Sequence, residues 1–303
     1  MPPGASSLTA ALTFLALVAF ASNSILCRLA LASREVDPAT FTLTRLASGA
    51  LMLLVVHAIA TRSFTGGGPA RRAANPRPLG HTLIAAALLF LYALPFSIAY
   101  VSIGAGAGAL ILFTAVQATM LLGALRSGER FHLLEGVGLV IALGGLTYLV
   151  SPGLSAPSPV GSALMAIAGI AWGIYSLRGR GSRDPLRDTT SNFVWSLPLA
   201  VLARWMPAAV TSHLGFTHVP ETTRGMLLAA ASGALASGLG YTIWFKALRG
   251  LAAIRASLVQ LAVPVLAAVG GVILLGESMT LRLVVSAALI LGGLAIALLG
   301  RGK

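Results

Sequence analysis

Long apolar runs occupy most of this chain, and short polar or Gly/Pro-rich segments separate them. A helix needs about 20 apolar residues to cross the hydrocarbon core of a bilayer. The pattern predicts ten transmembrane helices, numbered spans 1 to 10: Leu8 to Leu31, Phe41 to Ala60, Leu79 to Ile103, Ala105 to Leu125, Phe131 to Val150, Val160 to Leu177, Thr189 to Pro207, Gly225 to Leu248, Leu251 to Leu275, and Leu281 to Leu299. Span 7 is the weakest candidate because Asn192, Ser196 and Pro198 interrupt it.

The composition agrees with an all-α membrane protein. The chain is 57% hydrophobic and 10% charged over 303 residues, whereas soluble domains carry about 25% charged residues. We expect the net charge of +13 to reflect topology in the lipid bilayer, with no nucleic acid as partner. Span 1 is too long for the apolar region of a signal peptide, so we expect it to be retained.

A duplicated motif divides the chain into two halves. A Gly-Glu pair is followed sixteen residues later by a Gly-Gly pair, and the pattern recurs 148 residues on: Gly128, Glu129, Gly144 and Gly145, then Gly276, Glu277, Gly292 and Gly293. The prediction is two five-helix repeats, residues 1–153 with spans 1 to 5 and residues 154–303 with spans 6 to 10. Because five is odd, the second repeat must be inverted in the membrane. Inverted repeats are typical of secondary transporters with a midplane substrate site.

The positive charges predict the orientation. Fifteen Lys and Arg residues fall on one side of the predicted spans and five on the other, with Arg45 left inside span 2. Cytoplasmic loops carry the excess of Lys and Arg, so we predict that both termini are cytoplasmic. Glu129 then lies on the cytoplasmic side and Glu277 on the outer side. We interpret both Gly-Glu pairs as helix-end turns with a solvated or headgroup-level carboxylate.

The sequence contains no recognisable catalytic or metal-binding motif. The five histidines have no paired ligand spacing, and there is no phosphate-binding P-loop. We therefore predict that the protein is not an enzyme and has no cofactor or metal. None of the eight carboxylates lies at the centre of a span, which favours uniport over proton coupling. Gly104 to Gly108 is interpreted as a tight reversal in which only glycine tolerates the backbone conformation.

Polar and aromatic residues at membrane depth are the candidate binding groups. An amide facing lipid would leave its hydrogen bonds unmade at a cost of several kcal/mol. Such side chains therefore face protein or a cavity, and helix-to-helix hydrogen bonds and substrate contacts remain equal alternatives. The aromatic residues either line a cavity or pack between helices, and Tyr100 and Tyr175 could instead belong to an interfacial belt. The predicted substrate-binding residues are Asn23, Ser24, Tyr92, Phe96, Gln117, Trp172, Tyr175, Tyr241, Trp244 and Gln260.

Several of these segments carry a family resemblance. These features are the ten spans, the run Phe20 to Ser24, the pair Arg45-Leu46, and the sequence Leu-Gly-Gly-Leu at Leu143 to Leu146 and at Leu291 to Leu294. With them the chain resembles the drug/metabolite transporter superfamily, in particular its EamA-type members. Ala93 to Tyr100 is similar to the YddG branch of bacterial inner-membrane exporters of aromatic and other neutral amino acids. The resemblance implies a central cavity lined by spans 1, 3, 4, 6, 8 and 9, with spans 5 and 10 peripheral.

The resemblance further implies an inner-membrane exporter of neutral or aromatic amino acids that works by alternating access, and we expect it to be a monomer. The substrate side chain is expected against Trp172, Phe96 and Tyr241, and its amino and carboxyl groups near the amides or the carbonyls freed by helix kinks. Two alternatives stay open. One is efflux of drugs or organic cations by the same fold, and the other is a membrane enzyme or scaffold that transports nothing.

Overall fold

The computed structural model describes residues 3–62, 78–126, 133–151, 156–179, 182, 184–213, 219–248, 259–260 and 262–300. Glu129 and residues 251–258 of predicted span 9 lie outside these ranges. Every regular element within them is a helix. The helices are α1 (Pro3–Ala32), α2 (Pro38–Arg62), α3 (Leu79–Ser102), α4 (Ala105–Arg126), α5 (Leu133–Val150), α6 (Pro159–Gly179), α7 (Pro185–Arg204), α8 (Ala208–His213), α9 (Thr223–Ala231), a π-helical segment (Ser232–Leu239), α10 (Gly240–Leu248), α11 (Ala262–Leu275) and α12 (Leu281–Gly300).

Each of the ten predicted stretches overlaps a helix, and the described residues contain no strand, which confirms the all-helical prediction for them. The count of ten spans and their inversion remain predictions. Four helices are apolar but shorter than a full span: Ala105–Met120, Gly136–Leu149, Ala262–Leu275 and Leu281–Gly293. Five helices are long and apolar enough to cross a membrane: Ser7–Ala32, Pro38–Ala60, Leu79–Ser102, Pro159–Gly179 and Thr223–Ala247.

The outer surface of the bundle is apolar. On α2, Leu51 is 63% exposed and Ile59 is 60% exposed, and on α11 Ile273 is 72% exposed. Contiguous apolar surface of this kind is rare on soluble monomers. Lipid is the solvent that suits it, in agreement with the composition.

Helix α7, the weakest predicted span, has its polar residues turned inward. Asn192 and Ser196 are buried, and α7 packs against α2 and α3. Asp184 caps its first turn by accepting a hydrogen bond from the backbone N–H of Arg187 at 3.2 Å. The polar interruptions of this helix therefore contact protein and need not meet lipid.

The Gly-Gly pairs of the duplicated motif lie where α5 and α12 pack against each other. A Cβ atom on Gly145 would lie 2.7 Å from the Cβ atom of Leu289, and one on Gly293 would lie 2.5 Å from the carbonyl oxygen of Gly138. The second glycine of each pair is therefore required by close helix contact. Outside this pairing, α5 and α12 contact mainly α4, which agrees with the peripheral position that the resemblance implies for spans 5 and 10.

Alanine at Gly145 or Gly293 should lower the free energy of unfolding by about 1–3 kcal/mol, because the added methyl overpacks the α5–α12 contact. Gly144 and Gly292 are the matched controls, since nothing lies within 4 Å of a Cβ atom at either position. Alanine there should be neutral or stabilising, because it favours the helix over glycine. Thermal unfolding of the four single variants in detergent measures the difference, and equal shifts within each pair would contradict this interpretation.

The glycines between α3 and α4 serve a different purpose from the one predicted. Among the described glycines only Gly276 has a positive φ, of 66°, so the expectation that Gly104 to Gly108 needs a glycine-only backbone is wrong. A Cβ atom on Gly106 would instead lie 2.8 Å from Ala268, and one on Gly108 would lie 2.5 Å from the Tyr100 ring. Close packing by neighbouring side chains explains these glycines.

Candidate functional site

A cavity lies at the centre of the bundle between α1, α3, α4, α6 and α10. Its empty volume is about 350 Å³. Six of the ten predicted binding residues line it. The resemblance also implies a contribution from span 9, but the described part of that span, residues 259–260 and 262–275, contributes none of the lining residues. The wall consists of Phe20, Asn23, Ser24, Tyr92, Phe96, Leu112, Phe113, Trp172 and Tyr241.

Aromatic rings form most of the cavity wall, with Trp172 at their centre. Its ring centroid lies 4.9 Å from that of Tyr92, 4.8 Å from that of Tyr241 and 6.4 Å from that of Phe20. Tyr92 is also 5.3 Å from Phe96, one helical turn further along α3. These rings meet in tilted or edge-on arrangements, which aromatic pairs prefer. An apolar or aromatic group of a ligand would find ring faces and edges on several sides.

Asn23 provides the amide of the cavity wall and is 5% exposed. Its Nδ2 donates a hydrogen bond to the Tyr92 hydroxyl at 3.2 Å, and its Oδ1 accepts one from the Ser232 hydroxyl at 2.6 Å. The prediction that this amide faces protein or a cavity is confirmed. Asn23 connects α1 to α3 and to the π-helical segment, and it also lines the cavity.

Arg45 is a residue of this region that the sequence analysis did not include among the binding groups. It is 1% exposed on α2. Its Nε donates to the Ser237 hydroxyl at 3.1 Å and its Nη2 donates to the Tyr92 hydroxyl at 3.0 Å. The guanidinium carbon lies 5.1 Å from the ring centroids of both Tyr92 and Phe96. The signal for it was present in the sequence, since an ionisable residue inside a span is costly and usually functional.

Two of the predicted aromatic residues lie beside the cavity without lining it. Tyr175 lines a second pocket, of about 310 Å³ empty volume, where its hydroxyl accepts a hydrogen bond from Asn192 Nδ2 at 3.2 Å. Its ring is 5.5 Å from that of Trp172. Trp244 packs edge-on against Phe20 at 5.7 Å. Tyr175 and Trp244 thus pack against rings of the cavity wall, Trp172 and Phe20 respectively.

The two predicted glutamines, Gln117 and Gln260, are each 6% exposed and are absent from the residues that line the cavity. Tyr100 is fully buried, and Tyr175 is 4% exposed, so the alternative of an interfacial belt is wrong for both. The lining residues that the sequence analysis did not propose are Phe20, Leu112 and Phe113. They are ordinary apolar residues within long apolar runs, and their pattern alone carries no signal.

Glu277 forms a polar contact at one end of the bundle. Its carboxylate accepts from Arg28 Nε at 3.2 Å and from the backbone N–H of Ala105 at 2.8 Å. Arg28 Nη1 also donates to the carbonyl oxygens of Tyr100 and Val101. The expected helix-end turn is present at Gly276. The Glu277 side chain is 22% exposed, and its carboxylate is in addition held by groups of α1 and α4.

Two further ion pairs join helix ends near the C-terminus of α1. Glu35 pairs with Arg224, and Glu221 pairs with Arg204 at 3.1 Å. The carbonyl oxygen of Glu35 also accepts from the backbone N–H of Thr222 at 2.8 Å. Three of the five arginines predicted on the outer face thus form ion pairs at helix ends: Arg28, Arg204 and Arg224.

The described residues contain no group of three or more His, Cys, Asp or Glu side chains that could hold a metal ion. The lining residues of the cavity are aromatic, aliphatic, hydroxyl or amide side chains. These side chains offer ring contacts and hydrogen bonds of the kind that a small amphipathic molecule uses.

Comparison with known proteins gives a family match and a related fold. The model of the EamA-like transporter family matches twice, over residues 7–151 and 159–299. An uncharacterized protein of Pseudomonas aeruginosa is 46% identical over 97% of this chain and 95% of its own length. A probable amino-acid metabolite efflux pump of Salmonella typhimurium is 29% identical over 65% of this chain and 68% of its own length. A crystal structure with 22% identity superposes with a TM-score of 0.61, covering 95% of this chain and 98% of that one.

Proposed function

This chain belongs to the EamA-like transporter family, and from that premise we propose that it exports neutral or aromatic amino acids through the central cavity. The observation that carries the proposal is the cavity wall itself, which combines six aromatic side chains with the amide of Asn23. The rings suit the apolar or aromatic side chain of an amino acid, and the amide and hydroxyl groups of the wall suit its amino and carboxyl groups. The efflux pump of Salmonella typhimurium, named for amino-acid metabolites, supports the same substrate class.

The proposed mechanism is alternating access around a fixed site. Five-helix repeats of opposite orientation would rock about the cavity and expose it to one side of the membrane at a time. The two separate matches of the family model, one in each half of the chain, support the repeat organisation. In this proposal the protein is a monomer in the bacterial inner membrane with both termini in the cytoplasm.

Uniport is the proposed mode of energy coupling. A proton-coupled carrier commonly uses an acidic residue that exchanges a proton within the membrane. Among the described residues that line the cavity, none is acidic. The buried Asp37 is bound to the first turn of α2, where it accepts from the backbone N–H groups of Ala39 and Thr40 at 2.9 and 3.0 Å. Flux should therefore follow the substrate gradient alone.

Purified protein in proteoliposomes should take up radiolabelled L-phenylalanine in a saturable manner with no imposed pH gradient. Protein-free liposomes give the background, and a proton ionophore should leave the initial rate unchanged. Strict dependence on a pH gradient would overturn uniport. Absence of any amino-acid flux, with active uptake of a bulky organic cation, would overturn the substrate class in favour of drug efflux.

A further inference from the structure

Arg45 is a buried cation whose hydrogen-bonding capacity is not fully used. Its side chain is 1% exposed, and two of its nitrogens donate to the hydroxyls of Ser237 and Tyr92. The third, Nη1, is buried and has no hydrogen-bond partner. A buried guanidinium with a free N–H group is unfavourable unless something completes it.

No acidic side chain in the described part of the chain neutralises Arg45. The ion pairs there involve Glu35, Glu221 and Glu277, each with a different arginine. The observed contacts of the guanidinium are the hydroxyls of Ser237 and Tyr92 and the rings of Tyr92 and Phe96, which carry no charge at neutral pH. A cation inside a membrane protein is usually paired, so one without an acidic partner among the described residues is a candidate for binding an external anion.

The unpaired guanidinium adjoins the central cavity. Tyr92 and Phe96, whose rings lie 5.1 Å from the guanidinium carbon, both line that cavity. The Tyr92 hydroxyl accepts from Arg45 on one side and from Asn23 on the other. The Tyr241 hydroxyl is a second buried polar group of the wall, and it also has no hydrogen-bond partner among the described residues. An anionic group that enters here would find a charged donor and a neutral one.

We infer that Arg45 binds the carboxylate of the transported molecule and is a specificity-determining residue of the site. This inference rests on the proposed function and names the group by which the substrate is recognised. The planar guanidinium suits a carboxylate because its N–H groups match the two oxygens. The carboxylate would be bound at Nη1, with the side chain of the substrate against Trp172 and Tyr241.

The charge of the site makes the carboxylate essential and the amino group dispensable. The lining residues offer no carboxylate to pair with an ammonium group, whereas Arg45 supplies a fixed positive charge. An organic cation would be repelled by Arg45 in a medium where charges are poorly screened. The site should therefore accept a carboxylate that lacks the amine and reject an amine that lacks the carboxylate.

Two analogues of phenylalanine test this preference in the wild-type protein. The desamino analogue 3-phenylpropionate should compete with L-phenylalanine uptake with an inhibition constant within about tenfold of the Km for L-phenylalanine. The descarboxy analogue phenethylamine should compete at least about tenfold more weakly than 3-phenylpropionate. The reverse order would overturn the role of Arg45 while leaving amino-acid transport in place. Absence of any L-phenylalanine uptake would instead be a failure of the proposed function.

Variants of Arg45 assign the preference to this side chain. Arg45→Gln should raise the Km for L-phenylalanine at least about tenfold and abolish the preference for 3-phenylpropionate over phenethylamine. Arg45→Lys keeps the charge without the planar geometry, so it should keep the preference with an intermediate Km. Arg126→Gln, which changes an exposed arginine at the end of α4, should leave both unchanged. An unchanged Km and preference in folded Arg45→Gln would overturn the inference.

A small inorganic anion such as chloride is the other possible hydrogen-bond partner for Nη1 of Arg45. Uptake by the wild-type protein in chloride and in methanesulfonate buffers should agree within about twofold, because the substrate itself supplies the anion. Strict dependence on chloride, without a preference between the two analogues, would overturn carboxylate recognition. The wild-type measurements are decisive alone if Arg45→Gln does not fold.

Discussion

Replacing Trp172 by alanine should lower Vmax/Km for L-phenylalanine uptake by about 10- to 100-fold. Trp172 contacts Phe20, Tyr92 and Tyr241, so it joins the rings contributed by α1, α3 and α10. A substrate ring against Trp172 would lose one aromatic pair, about 0.5–1.5 kcal/mol, and about 1–1.5 kcal/mol of apolar contact area. The sum corresponds to this loss in rate. Radiolabelled uptake in proteoliposomes measures it, normalised to folded protein.

The loss of transport should be specific to the aromatic ring at position 172, and removal of a tryptophan elsewhere should not reproduce it. Trp205 is 79% exposed, and Trp205→Ala should leave Vmax/Km within about twofold of wild type. Trp172→Phe retains an aromatic face and should be intermediate. Because Trp172→Ala also removes buried volume, the melting temperature of each variant is measured alongside transport. Normal kinetics in a folded Trp172→Ala protein would show that the substrate does not contact this ring.

Among the described glycines, Gly233 is the position at which alanine should lower stability most. A Cβ atom there would overlap the carbonyl oxygen of Arg45 and the hydroxyl of Ser48, both on α2. The carbonyl is part of a helix and cannot move alone, so the π-helical segment and α2 must separate. We expect a loss of about 2–3 kcal/mol and a decrease in melting temperature of about 5 °C or more.

Gly238 provides a graded control within the same π-helical segment. A Cβ atom on Gly238 would lie 3.2 Å from the carbonyl oxygen of Gly49, a tight contact that small shifts can relieve. Gly238→Ala should therefore lower the melting temperature less than Gly233→Ala. Equal effects in a thermal unfolding assay would mean that the contact with α2 is not what requires glycine at position 233.

Local patterns predicted the helices and several polar side chains of the site. Apolar runs of sufficient length became helices because lipid leaves the backbone few alternatives. Tyr92, Phe96 and Tyr100 follow one another at intervals of four residues, which predicts a shared face of α3, and all three are buried and in ring contact. Asn23 was recognisable because an amide at membrane depth must be satisfied by protein or by a ligand.

The composition of the cavity wall could not be predicted because it depends on contacts between helices distant in sequence. Gln117 and Gln260 met the same criterion as Asn23, yet neither lines the cavity. Phe20 lines it although nothing separates it locally from other apolar residues of α1. In the sequence, Arg45 is an exception to the charge distribution and part of the family resemblance. Its role in the site depends on the lack of an acidic partner among the described residues, which a linear pattern does not show.

The π-helical segment has a consequence for the rotational register of the helix that contains it. Its hydrogen bonds run from residue i to i+5, as in the bond from the Gly240 N–H to the Leu235 carbonyl. Ser232 and Ser237 are five residues apart, and in an α-helix they would point about 140° away from each other. The wide turn lets one hydroxyl reach Asn23 and the other reach Arg45. The extra residue in the wide turn also rotates the residues of α10 about the helix axis. The direction in which the Tyr241 side chain points therefore depends on the π-helical segment before it.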